Sequence, residues 1–244
     1  MRFSLILSLL TTLAICTPLI ARENTPVPVH AQKANTATIG YRMVRVRDTR
    51  ILFPRLTRYP NKTVLTAVNR QIDDLTKDFG CEPGSTKNYF EVKSRVEYAD
   101  KAVFSIYASA SYYCGTAYPT NDANMSLTFD LRTGEKIRFE QLFKDYEADK
   151  REILRTIFAK QVERANKLAA AAKQGSDNCE EDAQLFSLEH LKDSSYSYNF
   201  TRSGLAVQPS WPHVIEACAE RVIVPYAEFR KFAAPGGILF RVMR

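Results

Sequence analysis

Four cysteines, two histidines and one tryptophan hold most of the chemistry this chain could perform. Cys81, Cys114, Cys179 and Cys218 follow a fifth, Cys16, in an N-terminal apolar run. A free Cys114 could act as a thiolate nucleophile, but it would need a histidine to take its proton. Only His190 and His213 lie in the region that reads as folded. The cysteines have no C-x-x-C spacing, which argues against zinc. Glu189-His190 and Trp211-Pro212-His213 each offer a general base, without a recognisable nucleophile or oxyanion hole beside it. The run Gly175 to Asp182 holds Asp177, Glu180, Glu181 and Asp182, but not the D-x-D-x-D-G spacing of a calcium loop. It reads as a solvated loop held by a disulfide. There is no G-x-S-x-G elbow, no H-E-x-x-H and no P-loop. The expectation is therefore no catalytic residue, no metal and no cofactor. Trp211, set between Pro209-Ser210 and Pro212, is either a rigid anchor for a partner or glycan ring, or a core residue.

The N-terminus sets the compartment. Arg2 precedes an apolar run from Phe3 to Ile15, Pro18 breaks it, and Ala21 suits the −1 position of a signal-peptidase site. A second site follows Val29-His30-Ala31. The competing reading is an uncleaved anchor, but the run to Ile20 is barely long enough to span and contains a proline and several hydroxyls. Leu13-Ala14-Ile15-Cys16 resembles a lipoprotein box with bulky Ile15 where a small residue is wanted. No later run is long and apolar enough to cross a bilayer. The segments read as a signal peptide over 1–21, a flexible leader over 22–38 and one domain over 39–244, with sub-regions about 39–114 and 115–232. A hydrophobic share of 45% argues against disorder for the whole. Export to the periplasm or medium also suits an even set of four mature cysteines, for which three pairings exist. Cys81–Cys114 and Cys179–Cys218 are favoured, because each pair brackets one half of the domain.

The formal net charge of +7 falls to +6 once Arg2 leaves with the signal. Outside the cytoplasm this favours phospholipid, lipopolysaccharide or wall polymer over nucleic acid. Arg42, Arg45, Arg47 and Arg50 are the nearest thing to a patch. Along a strand they divide between two faces and read as a solvated edge rather than a binding groove.

The elements that must position these residues follow from periodicity. Ile39 to Thr49 reads as an edge strand. Asn61 or Thr63 caps a helix whose Val64, Leu65, Val68, Ile72, Leu75 and Phe79 form one stripe, ended by Gly80. Tyr89 to Tyr98 and Val103 to Tyr113 form a hairpin over Ala99 to Ala102. The Phe104, Ile106, Ala108, Ala110 and Tyr112 face is the more apolar and should meet the helix. Met125 to Leu131 is a strand, Thr133-Gly134 its turn, and Lys136 to Phe139 the return. Asp149 to Ala172 reads as one long helix. A second hairpin joins Tyr196 to Phe200 with Leu205 to Gln208 around Ser203-Gly204. Glu220 to Val224 is the last strand, before a short helix. The fold class is α+β: mostly antiparallel sheets with two main helices packed on one face.

That order, with certain short motifs, resembles the extracytoplasmic domain of the RsiV type. The motifs are Cys114-Gly115-Thr116-Ala117-Tyr118-Pro119, Phe129 to Glu135, Leu142-Phe143, Ser203-Gly204-Leu205 and Val222-Ile223-Val224-Pro225-Tyr226. The family is of unknown function. Its domain occurs in an anti-sigma factor that senses lysozyme and beside a peptidoglycan deacetylase of the PdaC type. The resemblance covers about Tyr41 to Phe232 and implies a sensor-like binding module without its companion domains. The family's partner-contacting proline-x-aromatic segment is matched by Pro209-Ser210-Trp211, so Pro209 and Trp211 are candidate partner contacts with His213, Tyr118 and Pro119, although Tyr118 departs from the family's usual histidine. The partner the resemblance suggests is a lysozyme-like protein, while the charge favours peptidoglycan or another anionic envelope polymer; the further alternative is an envelope hydrolase or deacetylase accessory with an unrecognised active site. Animal lysozymes are basic like this chain, so long-range steering would be repulsive.

Overall fold

A computed structural model describes residues 39–81, 89–115, 121–171, 179 and 184–243. The signal peptide and leader expected over 1–38 therefore lie outside the described residues, as do most of the acidic loop, Tyr118 and Pro119. Among the described residues, nine strands form three antiparallel sheets. Strands β1 (Gly40–Arg45) and β2 (Leu52–Arg58) make a two-stranded hairpin. The meander β3 (Tyr89–Ala99), β4 (Val103–Tyr113), β5 (Asn121–Asp130) and β6 (Glu135–Lys136) makes a four-stranded sheet. The third sheet is β7 (Ser195–Phe200), β8 (Leu205–Ser210) and β9 (Val222–Val224). This is the expected α+β class.

Helix α1 (Lys62–Thr76) starts where the chain's chemistry directs. Asn61 Oδ1 accepts from the amides of Thr63 and Val64 at 3.0 and 3.3 Å, satisfying two donors that no helical turn can reach. Its Val64, Val68 and Ile72 are buried with Phe53 and Leu56 of β2 and with Phe104, Ile106 and Ala108 of β4. The even-numbered face of β4 thus meets the helix, as its apolar character implies. The long helix expected over Asp149 to Ala172 is instead two, α2 (Tyr146–Ile157) and α3 (Ala159–Ala170), divided at Phe158. Phe158 leaves helical geometry with its ring fully buried, 6.0 Å from Phe186 and 5.9 Å from Tyr196. Packing of that one ring overrides a smooth apolar stripe. α2 and α3 belong to a second core with the third sheet and α4 (Leu188–Lys192), so the helices are divided between two cores.

Both cores rest on β4, because its odd-numbered face is covered too. There β7 crosses β4 and β5 through a buried polar lattice. Ser105 Oγ and Thr128 Oγ1 lie 2.8 Å apart, and Ser105 Oγ also accepts from the Phe200 amide at 3.1 Å. Asn199 Nδ2 donates to Ile106 O at 2.7 Å and to Ser105 Oγ at 3.2 Å, while its Oδ1 accepts from Ser126 at 2.8 Å. Every polar atom of the Asn199 side chain is used, which is what permits its burial. Tyrosines add further ties. Tyr198 donates to Ile137 O at 2.7 Å, Tyr59 to Leu131 O at 2.6 Å and Tyr226 to Thr201 O at 2.6 Å. The β7–β8 turn seats tightly: a Cβ at Gly204 would overlap the Val224 carbonyl, so only glycine fits there.

Asn199→Ala should destabilise the fold by about 1–3 kcal/mol, the usual cost of leaving buried partners unmatched. Urea unfolding reads it, and an unchanged midpoint would deny the lattice its role. A second expectation concerns alkali. Burial, and then the neighbouring Asp100 carboxylate, push the Tyr98 hydroxyl up to about 12 from 10.0. The fold therefore favours the neutral phenol. Its stabilising contribution is complete below pH about 10 and disappears as pH rises through about 12. Thermal midpoints measured across that window should fall alongside tyrosinate absorbance, and a flat profile would contradict the assignment.

Candidate functional site

The cysteines pair as expected, Cys81 with Cys114 and Cys179 with Cys218. Cys114 is thus no free thiolate. The aromatic anchor does not survive as a surface feature. Trp211 is 8% exposed and belongs to the second core. Its ring meets Phe186 edge-on at 5.1 Å and His190 at 5.5 Å. The indole N–H donates to Ser194 Oγ at 3.0 Å, and the Trp211 amide to Glu216 Oε2 at 3.0 Å. Of the two alternatives for this residue, core packing holds, and the polar end that an anchor would present is already spent. Pro209 is buried near the end of β8. His213 opens the short helix α5 (His213–Glu216), and its side chain lies outside the described residues, as do Tyr118 and Pro119. Glu189, beside His190, binds Lys192 at 2.7 Å and faces Arg151 at 3.9 Å. Among the described residues, no group of three histidine, cysteine or acidic side chains is placed to hold a metal ion.

Several cations of the sheet surface are paired. The guanidinium groups of Arg95 and Arg221 lie 4.5 and 4.8 Å from the Tyr107 ring, and Glu97 bridges both at 2.6 and 3.0 Å. Tyr107 OH then donates to Asn124, which reaches Glu216. Asp130 similarly holds Arg132 at 3.0 Å and Arg241 at 2.7 Å. Burial alone would raise the Asp130 pKa, but the hydrogen bonds from these two arginines outweigh it and keep the carboxyl below its ordinary value. In these networks the cations already have carboxylate partners.

The β1–β2 hairpin differs. Antiparallel pairing brings Arg55 and Arg58 of β2 back beside the start of β1, where Arg42 lies. From Gly40 to Arg58 there are six arginines, no lysine, and Asp48 as the only acid. Arg42 stands directly opposite Arg55, a like-charge pairing that a sheet ordinarily avoids. The repulsion is relieved by turning Arg55 to α1, where it donates to Asn69 O at 2.8 Å and pairs with Asp73. Arg47 lies in the turn with φ of 43° and donates to Lys77 O at 3.1 Å. Among the described residues Arg42, Arg45, Arg50 and Arg58 take part in no ion pair, and all four are exposed. Guanidinium groups stay charged at any relevant pH and match phosphate or carboxylate with two parallel N–H donors. The expected edge strand runs to Thr49, whereas β1 ends at Arg45 and the remaining arginines line its turn. Taken alone, that strand conceals the site. Counting charge over both arms, past Pro54, is the signal that finds it.

A concavity of about 380 Å³ opens between β5–β6 and β7, lined among others by Asn124, Ser126, Lys136, Arg138, Tyr196 and Ser197. Its tyrosine hydroxyls and Ser126 are engaged within the fold. Exposed Lys136 and Arg138 share its rim with Glu140, a mixed and weaker field than the hairpin's.

No family model matches the chain, and no curated protein matches it. Several solved structures match it, and two of them align with most of it. One is a member of the DUF3298 family from Bacteroides fragilis, 12% identical with a TM-score of 0.47, covering 84% of this chain and 94% of that one. The other is a DUF3298 family protein from Pseudomonas aeruginosa, 13% identical with a TM-score of 0.39, covering 82% and 94%. The chain is similar to both and is assigned to neither.

The placement of Trp211 predicts blue-shifted emission that resists acrylamide and iodide in the folded state. Emission at the wavelength of free tryptophan, with ready quenching, would put the ring at the surface.

Proposed function

We propose that the protein is an extracytoplasmic, non-enzymatic binding module that engages an anionic component of the cell envelope through the β1–β2 hairpin. The observation that carries this reading is the segregation of charge. Six arginines against one acid, on a segment bounded by Gly40 and Arg58, supply most of the formal excess of +7. The networks around Glu97, Asp130 and Glu220 pair their cations with carboxylates. Arg42, Arg45, Arg50 and Arg58, exposed and without an acid partner among the described residues, raise the local concentration of polyanions and speed their capture. Two disulfides suit an oxidising compartment, where such polymers are displayed. A basic lysozyme would meet the hairpin with like charge, so that partner is disfavoured by the same field.

The test is retention on isolated wall sacculi over a salt series, with lysozyme titration beside it. Binding should weaken steadily with salt. Replacing Arg42, Arg45 and Arg50 together by alanine should reduce it about 10- to 100-fold, at about 0.5–1 kcal/mol for each exposed arginine–anion pair removed. Retention that ignores both salt and these three substitutions would overturn the reading.

A further inference from the structure

Charge is only part of what the hairpin presents. Five large hydrophobic side chains are exposed among the described residues, and three of them are on these two strands: Tyr41 at 43%, Met43 at 40% and Leu52 at 49%. They share a face. Tyr41, Met43 and Arg45 alternate along β1, so they point the same way, and the register sets Leu52 directly opposite Arg45. The buried end of that face is anchored, since the Tyr41 ring packs 5.8 Å from Phe104 and Leu56 beside it is buried. Pro54, opposite Met43, is buried, and nearer the turn the face is open at Arg45 and Leu52, with Arg50 where the chain returns.

We infer that the hairpin docks on an anionic lipid bilayer, with Met43, Leu52 and the edge of Tyr41 entering the headgroup region and Arg45 and Arg50 on lipid phosphates. This rests on the reading above for its charge and goes beyond it in naming the partner. A hydrated polymer would use the arginines and leave the apolar face in water. A bilayer interface uses both, since aromatic and aliphatic side chains settle at the headgroup boundary while arginines reach phosphate. The anionic leaflet supplies the complementary field. A second copy of the chain fits less well, because pairing two β1 edges would bring arginines of one against arginines of the other.

The test uses the protein recovered from cells after expression of the whole chain, so that any processing of its N-terminus is the natural one. Its probes are vesicles of phosphatidylglycerol in phosphatidylcholine, vesicles of phosphatidylcholine alone, and soluble polyphosphate as a lipid-free polyanion. The expected result is binding to the anionic vesicles that salt weakens without abolishing. The double substitution Met43→Ser, Leu52→Ser should lower vesicle binding at least about tenfold and leave polyphosphate binding unchanged. Both side chains are exposed, and an unaltered melting temperature would show the fold intact. A local reporter makes the result independent of the N-terminus. Leu52→Trp should be quenched by brominated acyl chains on anionic vesicles, while buried Trp211 stays unquenched. Polyphosphate binding without vesicle binding would overturn the bilayer and leave the polyanion reading standing. Absence of both would remove the two together. Vesicle binding indifferent to the serine pair, or an unquenched reporter, would also overturn the inference. So would a dimer abolished by those same serines.

Discussion

Asn199 fixes the crossing of β7 over β4 and β5, and through that crossing the core of the third sheet is joined to the strand that also backs the core beneath α1. Strand β4 contributes Phe104, Ile106 and Ala108 to the core beneath α1 and Val103 to the core built on the third sheet. Between Val103 and Tyr107 its outward face holds Ser105, fully buried, instead of an aliphatic group. An aliphatic residue there would pack but could not orient the crossing. Ser105, Thr128 and Asn199 fix its angle and register because a mismatched arrangement would leave several desolvated groups without partners. The lattice gives specificity that apolar contact alone does not, while the surrounding phenylalanines and leucines supply the bulk of the stabilisation.

Local chemistry is readable in the sequence wherever a single side chain decides the backbone. Asn61 stops an extended segment and starts α1, and Asp100 closes the β3–β4 turn by accepting from the amides of Ala102 and Val103, both at 2.8 Å. The alternation in β4 tells which face meets the helix. Features decided at a distance are hidden. Phe158 sits in a stripe of uninterrupted helical period, and only the positions of Phe186 and Tyr196 explain why the helix divides there. Strand β5 begins at Asn121, earlier than its apolar residues, because pairing with β4 rather than burial recruits Asn121 to Asn124. Trp211 is ambiguous for a similar reason. Its prolines suggest rigidity, but the groups that bury it, Phe186 and Ser194, come from a remote segment.

The site follows the same division. Each arginine of the hairpin is visible in the sequence, yet their meaning depends on the return strand and on which of them find acids. Arg55 finds Asp73, Arg47 finds a carbonyl, and the others find no acid among the described residues. An isolated edge strand with alternating arginines is a common protection against edge-to-edge pairing. Protection needs one or two charges. Carrying positive charge on both arms and through the turn adds self-repulsion that such protection does not require.

This excess calls for firm attachment of the hairpin, and the second strand supplies it along its length. A two-stranded ribbon is marginal by itself, and one with Arg42 facing Arg55 is weaker still. Phe53 and Leu56 are buried against α1 and β4, Asn69 holds the backbone of Leu56 from both sides at 3.0 and 2.8 Å, and Ser94 donates to Leu52 O at 2.8 Å. The second strand is therefore fixed to the body of the protein, and the first is carried by it. The stability of β2 offsets the repulsion that β1 and the turn bring. That is the arrangement expected when charge must be displayed at a set orientation, since a flexible basic tail would hold the same charge at no structural cost but could not keep Arg45 and Leu52 on one face.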